Sequence, residues 1–193
     1  MHKYQHIWTL GVMVLFLASA CTKPPIPPKE RSLAEARQKV LVLFSQLDGF
    51  EMEKQREVGL LGRAAVRMEA HWNHAGQMRR GIIYVVDHPK LFNVIHYTAP
   101  DDNNLFEAGY PAFQTMLKDL EIINGVGTLT VTEHEGHKLM RSPDLQLAIR
   151  YPNDWVYSLD ELNRAVVFSG PREEPTWLTT VSFSIVDKWA DES

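Results

Sequence analysis

Hydrophobic positions along the chain change their period several times, and each change marks an element. A capping box at Ser32-Leu33-Ala34-Glu35 opens a segment in which Leu33, Ala36, Val40, Leu43, Phe44 and Leu47 recur at helical spacing. Asp48-Gly49 ends it, which predicts a helix with one buried stripe. From Leu60 the period becomes two. Leu60, Gly62, Ala64, Val66, Met68, Ala70 and Trp72 fall on one side, and Arg63, Arg67, Glu69 and His71 on the other, predicting a long strand with one wet face. Ala75-Gly76 and His88-Pro89-Lys90 turn the chain into Met78 to Asp87 and then Leu91 to Thr98, completing an antiparallel meander. The run Ile82-Ile83-Tyr84-Val85-Val86 places the middle strand centrally.

Pro100-Asp101-Asp102-Asn103-Asn104 interrupts the strands and leads to a second helix. Pro111 is expected in its first turn, Ala112, Phe113, Met116, Leu117 and Leu120 on its buried face, and Asn124-Gly125 at its close. Thr128 to His134 and His137 to Arg141 read as a hairpin turning at Glu135-Gly136. Leu145, Leu147, Ile149 and Tyr151 alternate, Pro152-Asn153-Asp154 turns, and Trp155 and Tyr157 follow. Ala165 to Ser169 and a last strand with Trp177, Val181, Phe183 and Ile185 facing the core flank a loop from Gly170 to Pro175. The predicted class is α+β, an antiparallel β-sheet with two α-helices packed on it.

Ahead of these elements the pattern differs. Lys3 precedes an apolar run, Ile7 to Ala18, of signal-peptide length and too short to span a bilayer. Leu17-Ala18-Ser19-Ala20-Cys21 then reads as a lipobox carrying the only cysteine of the chain. The expected division is a signal peptide over residues 1–20, a lipidated Cys21 with a Pro-rich tether over 21–31, and one α+β domain over 32–193. Two or three acyl chains, palmitate among them, hold a protein firmly to a membrane where a single chain does not. Thr22 stands where inner-membrane lipoproteins usually carry Asp, so the outer membrane is expected, with the domain in the periplasm. Lys23-Pro24-Pro25-Ile26-Pro27-Pro28-Lys29 should form a polyproline spacer reaching about 20 Å from the lipid.

Composition narrows the function classes. A 45% hydrophobic and 23% charged chain is that of an ordinary globular protein, and a net charge of −4 offers no basic excess for nucleic acid. With Cys21 committed to lipid, no internal disulfide can form, so packing must supply the stability.

Two pieces of the chain resemble a known family. Tyr151-Pro152-Asn153-Asp154-Trp155, Val166-Val167-Phe168 and Thr180-Val181-Ser182-Phe183-Ser184-Ile185 resemble the opening of PsbP-like domains. Leu61-Gly62-Arg63-Ala64-Ala65, Tyr84, Tyr97 and the segment Tyr110-Pro111-Ala112-Phe113 to Leu120 resemble their closing half. The halves stand in exchanged order, so the resemblance implies a circularly permuted PsbP-like domain, with a cystatin-like or nuclear-transport-factor-like curved sheet as the alternative. It implies a binding or assembly role rather than catalysis, and no functional residue of the family maps onto this chain.

Candidate chemistry is sparse. His134-Glu135-Gly136-His137 is the best metal candidate, since a tight turn could gather two imidazoles and a carboxylate, although a solvated hairpin end is the favoured account. His71 and His74 are three apart, hence on opposite faces of a regular strand. Asp101, Asp102, Asn103, Asn104 and Glu107 offer oxygen ligands but also serve as turn formers and helix caps. Trp155, Tyr157 and Trp177 could form an aromatic patch, with Trp177, after Pro175, the candidate for binding a partner. No Gly-x-Ser-x-Gly motif and no phosphate-binding Gly-rich loop occurs. The expectation is a non-enzymatic envelope lipoprotein without a cofactor, bound to the membrane through Cys21 and to an envelope protein partner. A small-ligand or metal-binding lipoprotein is the alternative, and a hydrolase with a pocket enclosing His96 beside a carboxylate the remote one.

Overall fold

The computed structural model describes residues 29–124 and 126–189; the expected signal segment, Cys21 and most of the tether lie outside them. The first helix, α1, covers Leu33–Phe44. Four long strands follow, β1 (Glu51–Leu60), β2 (Arg63–His74), β3 (Gln77–Asp87) and β4 (Leu91–Pro100), and then α2 (Asn103–Lys118). Next come β5 (Glu121–Ile122), β6 (Thr130–His134), β7 (His137–Ser142) and β8 (Leu147–Pro152). The chain ends in β9 (Val156–Asp160), β10 (Ala165–Ser169), a 3-10 turn at Pro175–Leu178, and β11 (Thr180–Asp187). The α+β class is as expected.

The strands form two antiparallel sheets rather than one. A seven-stranded sheet has the order β1-β2-β3-β4-β11-β10-β9, and a four-stranded sheet the order β5-β8-β7-β6. The helices pack on opposite faces of the larger sheet. On one face, Ala36 and Val40 of α1 meet Val66, Met68, Ile83, Val85, Phe92 and Val94. On the other, Ile82, Tyr84, Ile95, Tyr97, Phe168 and Phe183 pack with Phe106, Phe113 and Met116 of α2 and with Met140, Leu147 and Ile149 of the small sheet. Successive residues of β3 from Gly81 to Val86 are therefore all buried, because both faces of this stretch are covered.

Several expectations are corrected. The residues before Leu60 form β1, paired with β2 along its length, and the hairpin turns at Leu61 and Gly62 with φ of 55° and 69°. Two adjacent positive φ values are what a two-residue turn between twisted strands requires. The face carrying Arg67, Glu69 and His71 is not wet: Glu69 is buried and Arg67 and His71 are largely covered. On α1, Leu43 is exposed beside Val42, and the buried stripe runs through Leu33, Ala36, Val40, Leu41 and Phe44.

Helix α2 begins eight residues before Pro111, which lies inside it rather than in its first turn. The start is fixed by Asp102, whose carboxylate accepts from the amides of Asn104 (2.8 Å) and Leu105 (3.2 Å). Pro111 has no N–H to offer the carbonyl four residues back, and the helix persists because Phe106, Gly109, Phe113 and Met116 bury one face. Gly109 is there for closeness, since a Cβ would stand 2.5 Å from Thr179 Cγ2. Trp177 sits in the 3-10 turn, not in the last strand.

Candidate functional site

The buried polar seam under α2 is built by cross-strand register. Arg67 faces Tyr84, and His71 faces Arg80, across the β2–β3 pair. Arg67 donates to Tyr84 Oη at 3.1 Å and to the Glu69 carboxylate. The Arg80 guanidinium lies over the Phe106 ring, 4.5 Å from its centroid. His71 lies between two carboxylates, with Nε2 3.0 Å from Glu53 and Nδ1 3.2 Å from Asp101, so it clasps β1 to the turn that enters α2. Arg67 and Glu69 pair with each other, which is what allows them to be covered, while Arg80 Nε is left without a hydrogen-bond partner.

His96 differs. Its ring packs against Phe44 (centroids 5.0 Å) and Trp72 (5.4 Å), and Nε2 is inaccessible and without a hydrogen-bond partner. Burial, aided by the nearby Arg79 charge, pushes its pKa down to about 3. The imidazole is neutral at physiological pH, and its surroundings are aromatic rather than a pocket shared with a carboxylate.

The remaining candidates take definite places. His134 and His137 close the β6–β7 hairpin opposite each other, their rings stacked with centroids 5.1 Å apart. His134 Nε2 meets Thr132 Oγ1 at 3.3 Å, and His137 Nδ1 meets the Glu135 carbonyl at 3.1 Å. Among the described residues no group of three His, Cys, Asp or Glu side chains is placed to hold a metal ion. Asp101 is engaged with His71 and Asp102 with the start of α2, so these acids act as clasp and cap. Trp155 is core, and Trp177 is half-buried with the Arg172 guanidinium 5.1 Å from its centroid. The aromatic patch expected from Trp155, Tyr157 and Trp177 is thus divided: only Tyr157 is exposed.

The two edges of the large sheet contrast. Strand β1 presents Glu51, Glu53, Lys54, Arg56 and Glu57, charges of the kind that discourage a further strand from pairing. Strand β9 pairs only with β10, and its Val156, Tyr157 and Leu159 are exposed. No charge guards it before Asp160 at its end. Tyr157 continues inward to Tyr151 and Phe168, each at a centroid distance of 6.3 Å, so this edge is continuous with the core. Burial, with the Tyr157 phenol nearby, raises the Tyr151 phenol to about 12.

Beside β9 lies a cleft of about 460 Å3, with Leu129, Leu145 and Leu159 in its wall and Asp144, Asp160 and Glu161 among its polar lining. The one arginine at the cleft, Arg164, is held by both carboxylate oxygens of Asp187 at 3.0 Å. Sequence reasoning missed Val156 and Leu159 because β9 is short and bounded by turns on both sides. The available signal was Val156-Tyr157-Ser158-Leu159, four uncharged residues rich in strand formers.

No protein-family model, curated protein or solved structure matches the chain. Among the described residues no helix is long and apolar enough to cross a membrane.

Proposed function

We propose that this chain is a lipid-anchored periplasmic protein of the cell envelope, held to the outer membrane through Cys21. It acts without catalysis as a docking subunit, accepting an extended segment of an envelope protein along β9. The observation that carries the reading is the contrast between the edges: β1 is guarded by charge, and β9 offers unpaired backbone flanked by exposed Val156, Tyr157 and Leu159. An added strand would gain main-chain hydrogen bonds, with side chains of alternate residues giving specificity. The cleft beside Leu159 could receive one apolar side chain of that strand, and Asp144, Asp160 and Glu161 favour a basic residue next to it. The same cleft supports a second reading, a small cationic amphiphile bound without a protein partner.

The permuted PsbP-like kinship belongs to the proposal as well. Glu30 bridges Trp189, and the Arg31 amide donates to the Lys188 carbonyl at 2.7 Å, so the two ends of the described chain lie side by side. Adjacent ends are the condition for permutation to leave a fold intact.

The test is photo-crosslinking in intact cells from a photoreactive residue at position 158, compared with one at position 55 on β1. The proposal expects an adduct to one envelope protein from 158 and not from 55, mapping to a segment of alternating apolar and basic residues. Equal labelling from both edges contradicts it, and an adduct to a small molecule favours the second reading.

A further inference from the structure

Most exposed apolar side chains lie on strand or helix flanks and are about half covered, but two stand free at loop tips: Leu162, at 97% of its full accessible surface, and Val126, at 107%. The topology brings both to one end of the fold. Leu162 tips the β9–β10 turn, where Arg164 reaches Asp187 at the end of β11. Val126 lines a shallow depression with Lys90 of the β3–β4 turn. At this same end Trp189, half-exposed, bridges Glu30. The described chain therefore begins next to Trp189, at the same end of the fold as Leu162 and Val126.

We propose that this end of the domain rests on the lipid surface, with Leu162 and Val126 inserted among the headgroups and Trp189 at the interface. The inference rests on the tether reading. From Cys21 to Lys29 the chain can span no more than about 28 Å fully extended, so the end that carries Lys29 is the end held nearest the bilayer. That length is a limit on reach, and a tether lying along the surface brings the tips into contact. Free aliphatic tips with a tryptophan at the same end match the chemistry of an interfacial zone, where apolar area is removed from water and an indole keeps its N–H wet. Acidic and basic groups are mixed around the tips, with Asp160, Glu161 and Arg164 flanking Leu162, so the contact is apolar and insensitive to salt.

The full lipidated protein tests this after reconstitution into phosphatidylethanolamine–phosphatidylglycerol vesicles. The Cys21 thiol is blocked by its lipid, so Leu162→Cys, Val126→Cys and, at the opposite end, Leu178→Cys each accept one spin label. Collisional broadening by oxygen relative to a water-soluble nickel chelate should be several-fold higher at 162 and 126 than at 178, and unchanged in high salt. Equal, water-like values at all three sites overturn the proposal and leave the domain standing off on its spacer. Shielding that appears only at high protein-to-lipid ratio assigns the tips to a second copy and overturns it too. The mass of the Cys21 peptide separates the two readings: acyl groups with aqueous labels defeat only the docking, whereas an unmodified Cys21 defeats the tether. Lipid-exposed labels without acylation would still support the docking.

Discussion

His96 carries the clearest pH signature of any single residue here. Its pKa falls from an ordinary 6.5 to about 3 on folding, because the ring is buried between Phe44 and Trp72 and faces the Arg79 charge. The unfolded chain binds a proton at this histidine between those values and the folded chain does not, so stability is full above pH 6.5 and declines as the pH falls toward 3. The slope is at most about 1.4 kcal/mol per pH unit. His88, also lowered by burial, adds with the same sign. Urea unfolding of His96→Leu should show a flatter loss of stability between pH 6 and 4 than the parent protein; an unchanged slope would place the acid sensitivity elsewhere. Beside His96, Gly81 lies under the Trp72 ring, and an added Cβ would run into the indole. Gly81→Ala should therefore cost about 1–3 kcal/mol, read from the same titrations. None of this was legible in the sequence, where His96 is one histidine among eight and Gly81 one glycine among eleven.

Elements were legible in proportion to the apolar contrast they carry. The run Ile82 to Val86 announced a strand covered on both faces, and Ser32 with Glu35 announced the start of α1. Strand β1 gave no signal because its residues from Glu51 to Glu57 are exposed on both faces, and an edge guarded by charge has no period-two apolar pattern. The face of β2 carrying Arg67, Glu69 and His71 read as wet because sequence does not reveal which charges pair. Pro111 misled for a local reason: it is favoured at a helix start, yet the cap at Asp102 and the buried face of α2 hold the helix through it. At β9 the missed apolar edge supplies a prediction. Leu159→Lys should leave the unfolding free energy within about 0.5 kcal/mol of the parent, because the residue is exposed, while abolishing the adduct formed from position 158. An adduct that survives the substitution would show that β9 is not where the partner binds.

The whole molecule is organised by one end, where the chain enters beside Trp189, the tips of Leu162 and Val126 project, and the cleft next to β9 opens. That arrangement gives a topological prediction. Joining Trp189 to Glu30 by a short linker and opening the chain between Asn124 and Val126 should give a permuted protein with the same circular dichroism and cooperative unfolding. An insoluble or molten product would tell against the permuted kinship. The placement of the ends was beyond the sequence, because it depends on β11 pairing with β4, a contact between strands about ninety residues apart. The proposed tether, by contrast, was legible only in sequence, through Leu17 to Cys21. The central claim is that this domain works from a membrane, and the intact mass of the protein purified from the envelope of its host tests it most directly. A chain running from Cys21 to Ser193 and carrying diacylglyceryl and acyl groups is the predicted result. A chain that keeps Met1 to Ala20, or ends in an unmodified Cys21 and fractionates with water-soluble protein, would contradict it.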